Sequence, residues 1–132
     1  MDKLVNDIKK DEGFRGNPYN DSRGLPTIGY GTLLPISKVE GELLLKHRLE
    51  LIIQELINNK PFVVDLNEEA QSIIYNMAYN LGVPRLLKFK KMWKALENYD
   101  YTEASKEMKD SRWYHQVGNR AKKLVERMTK VS

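Results

Sequence analysis

The chain has 132 residues, 41% hydrophobic and 30% charged, enough for one compact domain or two small lobes but not for two independent cores. Its formal charge of +4 suits an acidic partner (nucleic acid, an anionic membrane or a wall polymer) or ordinary solubility. With no cysteine and only His47 and His115, the chain excludes disulfides and thiol catalysis and argues against a histidine-built metal site; no cofactor is expected.

Residues 1–10 lack the apolar centre of a secretory signal, and no apolar run is long enough to span a bilayer. The expectation is a protein made in the cytoplasm, with no stable membrane insertion. Leu4, Val5 and Ile8 fall at helical spacing and Gly13 is a natural stop, which predicts a helix over 2–12. Glu12 then sits in its last turn, where the negative end of the helix dipole disfavours a carboxylate.

From Pro18 the helical period ends. Asp21-Ser22-Arg23-Gly24 has turn chemistry, and Leu25 to Tyr30 can return as an antiparallel strand that leans on helices, since two strands alone are marginal. Gly29 and Gly31 flank Tyr30 and permit close approach of another group. Ser37 followed by Glu40 is a capping box. From there an apolar stripe, Val39, Leu43, Leu44 and Leu49 through Ile57, predicts a long helix ended by Asn58-Asn59-Lys60-Pro61. Such a helix suits a spine between two lobes.

Asn67 caps a further helix whose apolar face includes Ala70, Ile73, Ile74 and Met77, with Gly82 as its stop; Asn76 and Asn80 share one face. A basic helix is expected from Arg85 to about Asn98, either a solvated face or an attraction for anionic polymers. Thr102 is expected to cap a short helix to Lys109, and a last helix runs from about Asn119 to Met128. The fold class is α+β, mostly helical, with one small β element.

Glu12, Asp21 and Thr27 are nine and then six positions apart, so a helix end, a hairpin and a turn can bring them together. Paired carboxylates are what an inverting glycosidase uses, one as proton donor and one to handle water. Equally, these acids can be solvated surface groups, with Asp21 a simple turn residue.

The segment Asp11-Glu12-Gly13, Tyr19-Asn20-Asp21, Gly24 and Thr27-Ile28-Gly29-Tyr30-Gly31 resembles the signature of phage-type lysozymes, glycoside hydrolase family 24. Ile74 to Gly82 is similar to that family's core helix, and Ser111-Arg112-Trp113-Tyr114 with Asn119-Arg120-Ala121-Lys122 to its C-terminal segments. The resemblance implies a lysozyme-like fold: a hairpin lobe over about 13–36, a connecting helix over 37–60, and a helical lobe of 61–132 plus the N-terminal helix, with a cleft between the lobes. It also implies Glu12 as general acid, Asp21 as the carboxylate that positions water, and Thr27 as a partner holding that water. Arg120 matches an arginine that reaches the catalytic Glu, and Leu33, Tyr79 and Asn80 match positions along the sugar-binding cleft. Trp113 reads as a packing aromatic.

The implied activity is hydrolysis of the β-1,4 bond between N-acetylmuramic acid and N-acetylglucosamine in peptidoglycan. A lytic transglycosylase, or an inactive wall-binding phage component, are the alternatives; no nucleic-acid motif is present. The expected protein is a monomer that waits in the host cytoplasm and reaches the wall once a separate holin permeabilises the membrane. Two departures stand out. Thr32 occupies a position where many members carry histidine, and Pro35-Ile36 leads straight into the Ser37 cap, so the first lobe is shortened.

Overall fold

The computed structural model describes residues 1–132 as two compact units, Met1–Leu45 and Lys46–Ser132. The first unit opens with helix α1 (Asp2–Glu12), closed by Gly13 at φ 69° with its N–H on the Lys9 carbonyl. Three antiparallel strands follow in the order β1 (Arg15–Asn20), β2 (Pro26–Gly29), β3 (Thr32–Leu33). The sequence predicted two strands; the third forms because Gly31 (φ 73°) turns the chain back and pairs Thr32 with Ile28 and Leu33 with Thr27. A register irregularity between Arg15 and Tyr19 bends β1 against β2.

Helix α2 (Lys38–Asn59) starts where expected, with the capping box closed in both directions: Ser37 N–H donates to Glu40 Oε1 at 2.8 Å and Glu40 N–H to Ser37 Oγ at 3.1 Å. Its predicted stripe is only partly used. Leu56 is buried, whereas Val39, Leu43 and Leu44 in the first turns are exposed. Met1–Leu45 contains no buried apolar side chain, and Thr27 is its one buried residue. Helix α1 groups with this hairpin unit, where the sequence assigned it to the helical lobe. It continues directly into β1 through Gly13, and Glu12 rests on Gly31.

The second unit holds the apolar core. After a 3-10 turn (Pro61–Asp65) come α3 (Glu68–Leu81), α4 (Val83–Leu86), α5 (Lys90–Glu97), α6 (Tyr101–Lys109), α7 (Arg112–Val117) and α8 (Asn119–Thr129). Ile73, Ile74 and Met77 from α3 meet Leu86, Trp93, Leu96, Met108, Trp113 and Met128 in one cluster. Asn67 caps α3 as predicted, its side chain accepting from Glu69 N–H. The basic helix expected over 85–98 is instead two helices. Trp93 Nε1 donates to the Leu86 carbonyl at 2.9 Å, and Phe89 N–H bonds the same carbonyl, which ends α4 and starts α5 afresh. Asp100 caps α6 in place of Thr102, accepting from Glu103 N–H at 3.0 Å. Ser111 caps its own short helix, α7. No helix is long and apolar enough to cross a membrane.

Candidate active site

Glu12 ends α1, so its side chain leaves the helix where the chain turns toward β1. Its carboxyl lies on the backbone of Gly31: a Cβ placed there would come within 2.6 Å of Glu12 Cδ and Oε2. Only a glycine leaves that seat open, and Gly31 also needs its positive φ to make the turn. Glu12 is exposed and has no ion-pair partner within 4.0 Å.

Asp21 stands just past β1, at the head of the turn closed by Gly24 N–H on the Asp21 carbonyl. Its Oδ1 accepts from the N–H groups of Arg23 and Leu25, both at 2.9 Å. The Arg23 guanidinium lies at the edge of contact with Oδ2, Nε to Oδ2 being 4.0 Å. The Leu25 N–H bond, opposed by desolvation and supported by the Arg23 N–H and charge, lowers the Asp21 pKa below its ordinary 3.8. One oxygen is thus tied to backbone, and the other accepts no hydrogen bond from the protein.

Thr27 is 1% exposed, and its Oγ1 donates to the Leu25 carbonyl at 2.9 Å. The same carbonyl accepts from Asp21 N–H at 2.9 Å. Leu25 therefore joins the two: its N–H holds the Asp21 carboxylate, and its C=O takes both the Asp21 amide and the Thr27 hydroxyl. Thr27's hydroxyl hydrogen is committed to protein, so a water held by Thr27 would donate to the Oγ1 lone pairs. Leu33 pairs with Thr27 across β2 and β3 and is 48% exposed.

The remaining expected residues lie in Lys46–Ser132. Arg120, at the start of α8, places Nε and Nη2 on Asn76 Oδ1 at 3.0 and 2.8 Å. Asn80, one turn further along α3, accepts from Trp113 Nε1 at 2.9 Å. Asn76 and Asn80 thus tie α8 and α7 to α3 from a single helix face. Trp113 is buried, as its packing role requires, and Tyr79 is exposed. Sequence reasoning did not anticipate the Leu25 junction or the Asn76 bond to Arg120. Of these, the spacing of Asn76 and Asn80 on an otherwise apolar helix carried a readable signal. No group of three or more His, Cys, Asp or Glu side chains is arranged to hold a metal ion.

A family model described as "Phage lysozyme" matches residues 9–130. The chain is 29% identical to "Probable T4-type lysozyme 1" of Dictyostelium discoideum, over 89% of this chain and 88% of that protein. It is 24% identical to "Probable T4-type lysozyme 2" of the same organism, over 95% and 92%. It is also 28% identical to the "Pre-baseplate central spike protein Gp5" of Enterobacteria phage T4, over 89% of this chain but 26% of that longer protein.

Proposed function

From its membership of the phage lysozyme family, which makes the chain a lysozyme acting on peptidoglycan, we propose that it hydrolyses the β-1,4 bond between N-acetylmuramic acid and N-acetylglucosamine with inversion. In this reading Glu12, protonated, gives its proton to the glycosidic oxygen as the bond to the anomeric carbon breaks. A water on the opposite face of the sugar attacks that carbon and passes its proton to the free oxygen of Asp21. Proton exchange with solvent then restores both acids.

The observation that carries the reading is the unequal holding of the two carboxylates. Asp21 is kept ionised by backbone donors with one oxygen free, whereas Glu12 is seated on Gly31 with no cation bound to it. Asp21 is thus held as a carboxylate with one oxygen open to orient a water, and Glu12 is exposed at the end of α1 with its carboxyl open to a substrate oxygen. Thr27 supports this through the Leu25 junction and offers its lone pairs to the same water. Leu33, Tyr79 and Asn80 are proposed to contact sugar, with Asn80 using its amide N–H, since its oxygen is bonded to Trp113. Arg120 is proposed as a supporting residue held by Asn76. The enzyme is proposed to act as a monomer, made in the host cytoplasm and admitted to the wall by a separate membrane-permeabilising protein.

The test is clearing of a peptidoglycan suspension by wild type and Glu12→Gln. The variant is expected to lose at least about a hundredfold in rate while keeping its circular dichroism spectrum; an active variant would remove Glu12 from the mechanism. A lytic transglycosylase also uses a Glu acid but needs no water-handling Asp. Products with reducing ends support hydrolysis, and 1,6-anhydro ends would replace it.

A further inference from the structure

Residues 85–94, Arg-Leu-Leu-Lys-Phe-Lys-Lys-Met-Trp-Lys, hold five cations and no acid. All five cationic side chains are exposed. None has a carboxylate partner, since the three ion pairs of the molecule are Lys3–Asp7, Arg23–Asp21 and Arg127–Glu69. The backbone beneath them is pinned. Trp93 and Met92 are buried, the Trp93 indole bonds the Leu86 carbonyl, and Phe62 packs edge-on to Trp93 at 6.0 Å. The lysines therefore project from a fixed base, which lowers the ordering cost of binding.

Beside them runs a trough. A groove of about 430 Å³ has Lys88 and Lys91 on one wall and Glu107 and Asp110 on the other. A second, of about 280 Å³, shares Lys91 and Glu107 with it and extends it to Lys94 and Glu103. The two cavities adjoin at Lys91 and Glu107 along α5 and α6, with the cations contributed by α5 and its approach and the acids by α6 and its ends. The rows face each other without an ion pair within 4.0 Å, so both keep their charge for a third molecule. Met92 and Phe89 supply apolar surface at one end.

We propose that this trough docks a wall polymer of polyol phosphate carrying amino-acid esters, separately from the reacting carboxylates. Repeating phosphates match the lysine row, and ester-borne ammonium groups match Glu103, Glu107 and Asp110. An all-anionic chain would meet repulsion from that acidic wall, and a neutral glycan has no charge to offer either side. Two adjoining grooves in a row suit a linear polymer better than a compact ligand. The proposal does not depend on the hydrolytic reading.

The test uses immobilised poly(glycerol phosphate) bearing D-alanyl esters, the same polymer freed of its esters by mild base, and peptidoglycan stripped of polymer. Wild type is expected to bind the esterified polymer several-fold more tightly than the ester-free form. Binding should weaken with salt, and fall about tenfold or more in Lys88→Gln/Lys91→Gln/Lys94→Gln. That triple variant, changed only at exposed positions, is expected to clear polymer-free peptidoglycan at the wild-type rate. Glu12→Gln should bind the polymer as wild type does, which separates this claim from the catalytic one. Equal binding by the triple variant would overturn the proposal. So would equal or tighter binding of the ester-free polymer, which would mark a plain polyanion patch. Equal retention on stripped peptidoglycan would overturn it in favour of stem peptides or glycan.

Discussion

Gly31 is where the geometry is least forgiving. It turns the chain at φ 73° and lies under the Glu12 carboxyl. Gly31→Ala should cost about 1–2 kcal/mol in urea unfolding from the left-handed backbone alone. It should also cut clearing activity at least about tenfold by displacing Glu12; an alanine variant of full activity would show that Glu12 does not need that seat. Asp21 makes a prediction in pH. Its folded pKa lies below the ordinary 3.8, so the unfolded chain binds the proton first. The stability it contributes is present above that ordinary value and is lost as pH falls through the lowered one. The melting-temperature gap between wild type and Asp21→Asn is therefore expected to be steady from about pH 5 to 7 and to close below about pH 4. A gap independent of pH would mean that the Asp21 charge adds nothing to the fold. The turn at Asp21 and the glycine punctuation were legible from turn chemistry, whereas the grouping of Glu12, Asp21 and Thr27 as a site came from the family resemblance and not from their spacing. Leu25 was not legible: it acts through its N–H and C=O, which nearly every residue type carries.

Among the elements, α2 and α3 start at the caps the sequence named, whereas α6 is capped by Asp100 in place of Thr102. Ser37 with Glu40 and Asn67 start their helices through local bonds that the sequence spells out. The segment after Pro84 shows the opposite case. Its cationic pattern is helical throughout, but the chain breaks near Phe89 because the buried Trp93 indole seeks the Leu86 carbonyl, and burial of an indole N–H demands an acceptor. The same demand sets a test on α3. Asn80→Ala removes the acceptor from the buried Trp113 and is expected to cost about 1–3 kcal/mol in denaturant unfolding. Asn80→Asp, which keeps an oxygen there, should cost less, and equal losses in both would show that the bond is not what stabilises α7.

At the scale of the whole molecule, apolar burial is concentrated in Lys46–Ser132, whereas Met1–Leu45 buries only Thr27. Amide hydrogen exchange should follow that division. The slowest amides are expected in α3, α5 and α8 and faster ones in β1 to β3 and α1, since local opening is cheapest where few apolar contacts resist it. Uniform protection across both units would contradict it. The partition was only half visible in the pattern, because an apolar stripe such as Val39, Leu43 and Leu44 signals a helix face without saying what covers it.

The seat of Glu12 on Gly31 has a further consequence for how the protein recovers after denaturation. The bonds that organise Glu12, Asp21 and Thr27 close within the span from residue 12 to residue 31, whereas Arg120 reaches Asn76 across 44 positions and Trp113 reaches Asn80 across 33. The entropy of ring closure rises with the logarithm of the span. The acid-bearing loop therefore has the shorter search, and its residues come together by neighbourhood while the distant helix ties still have a longer stretch of chain to close.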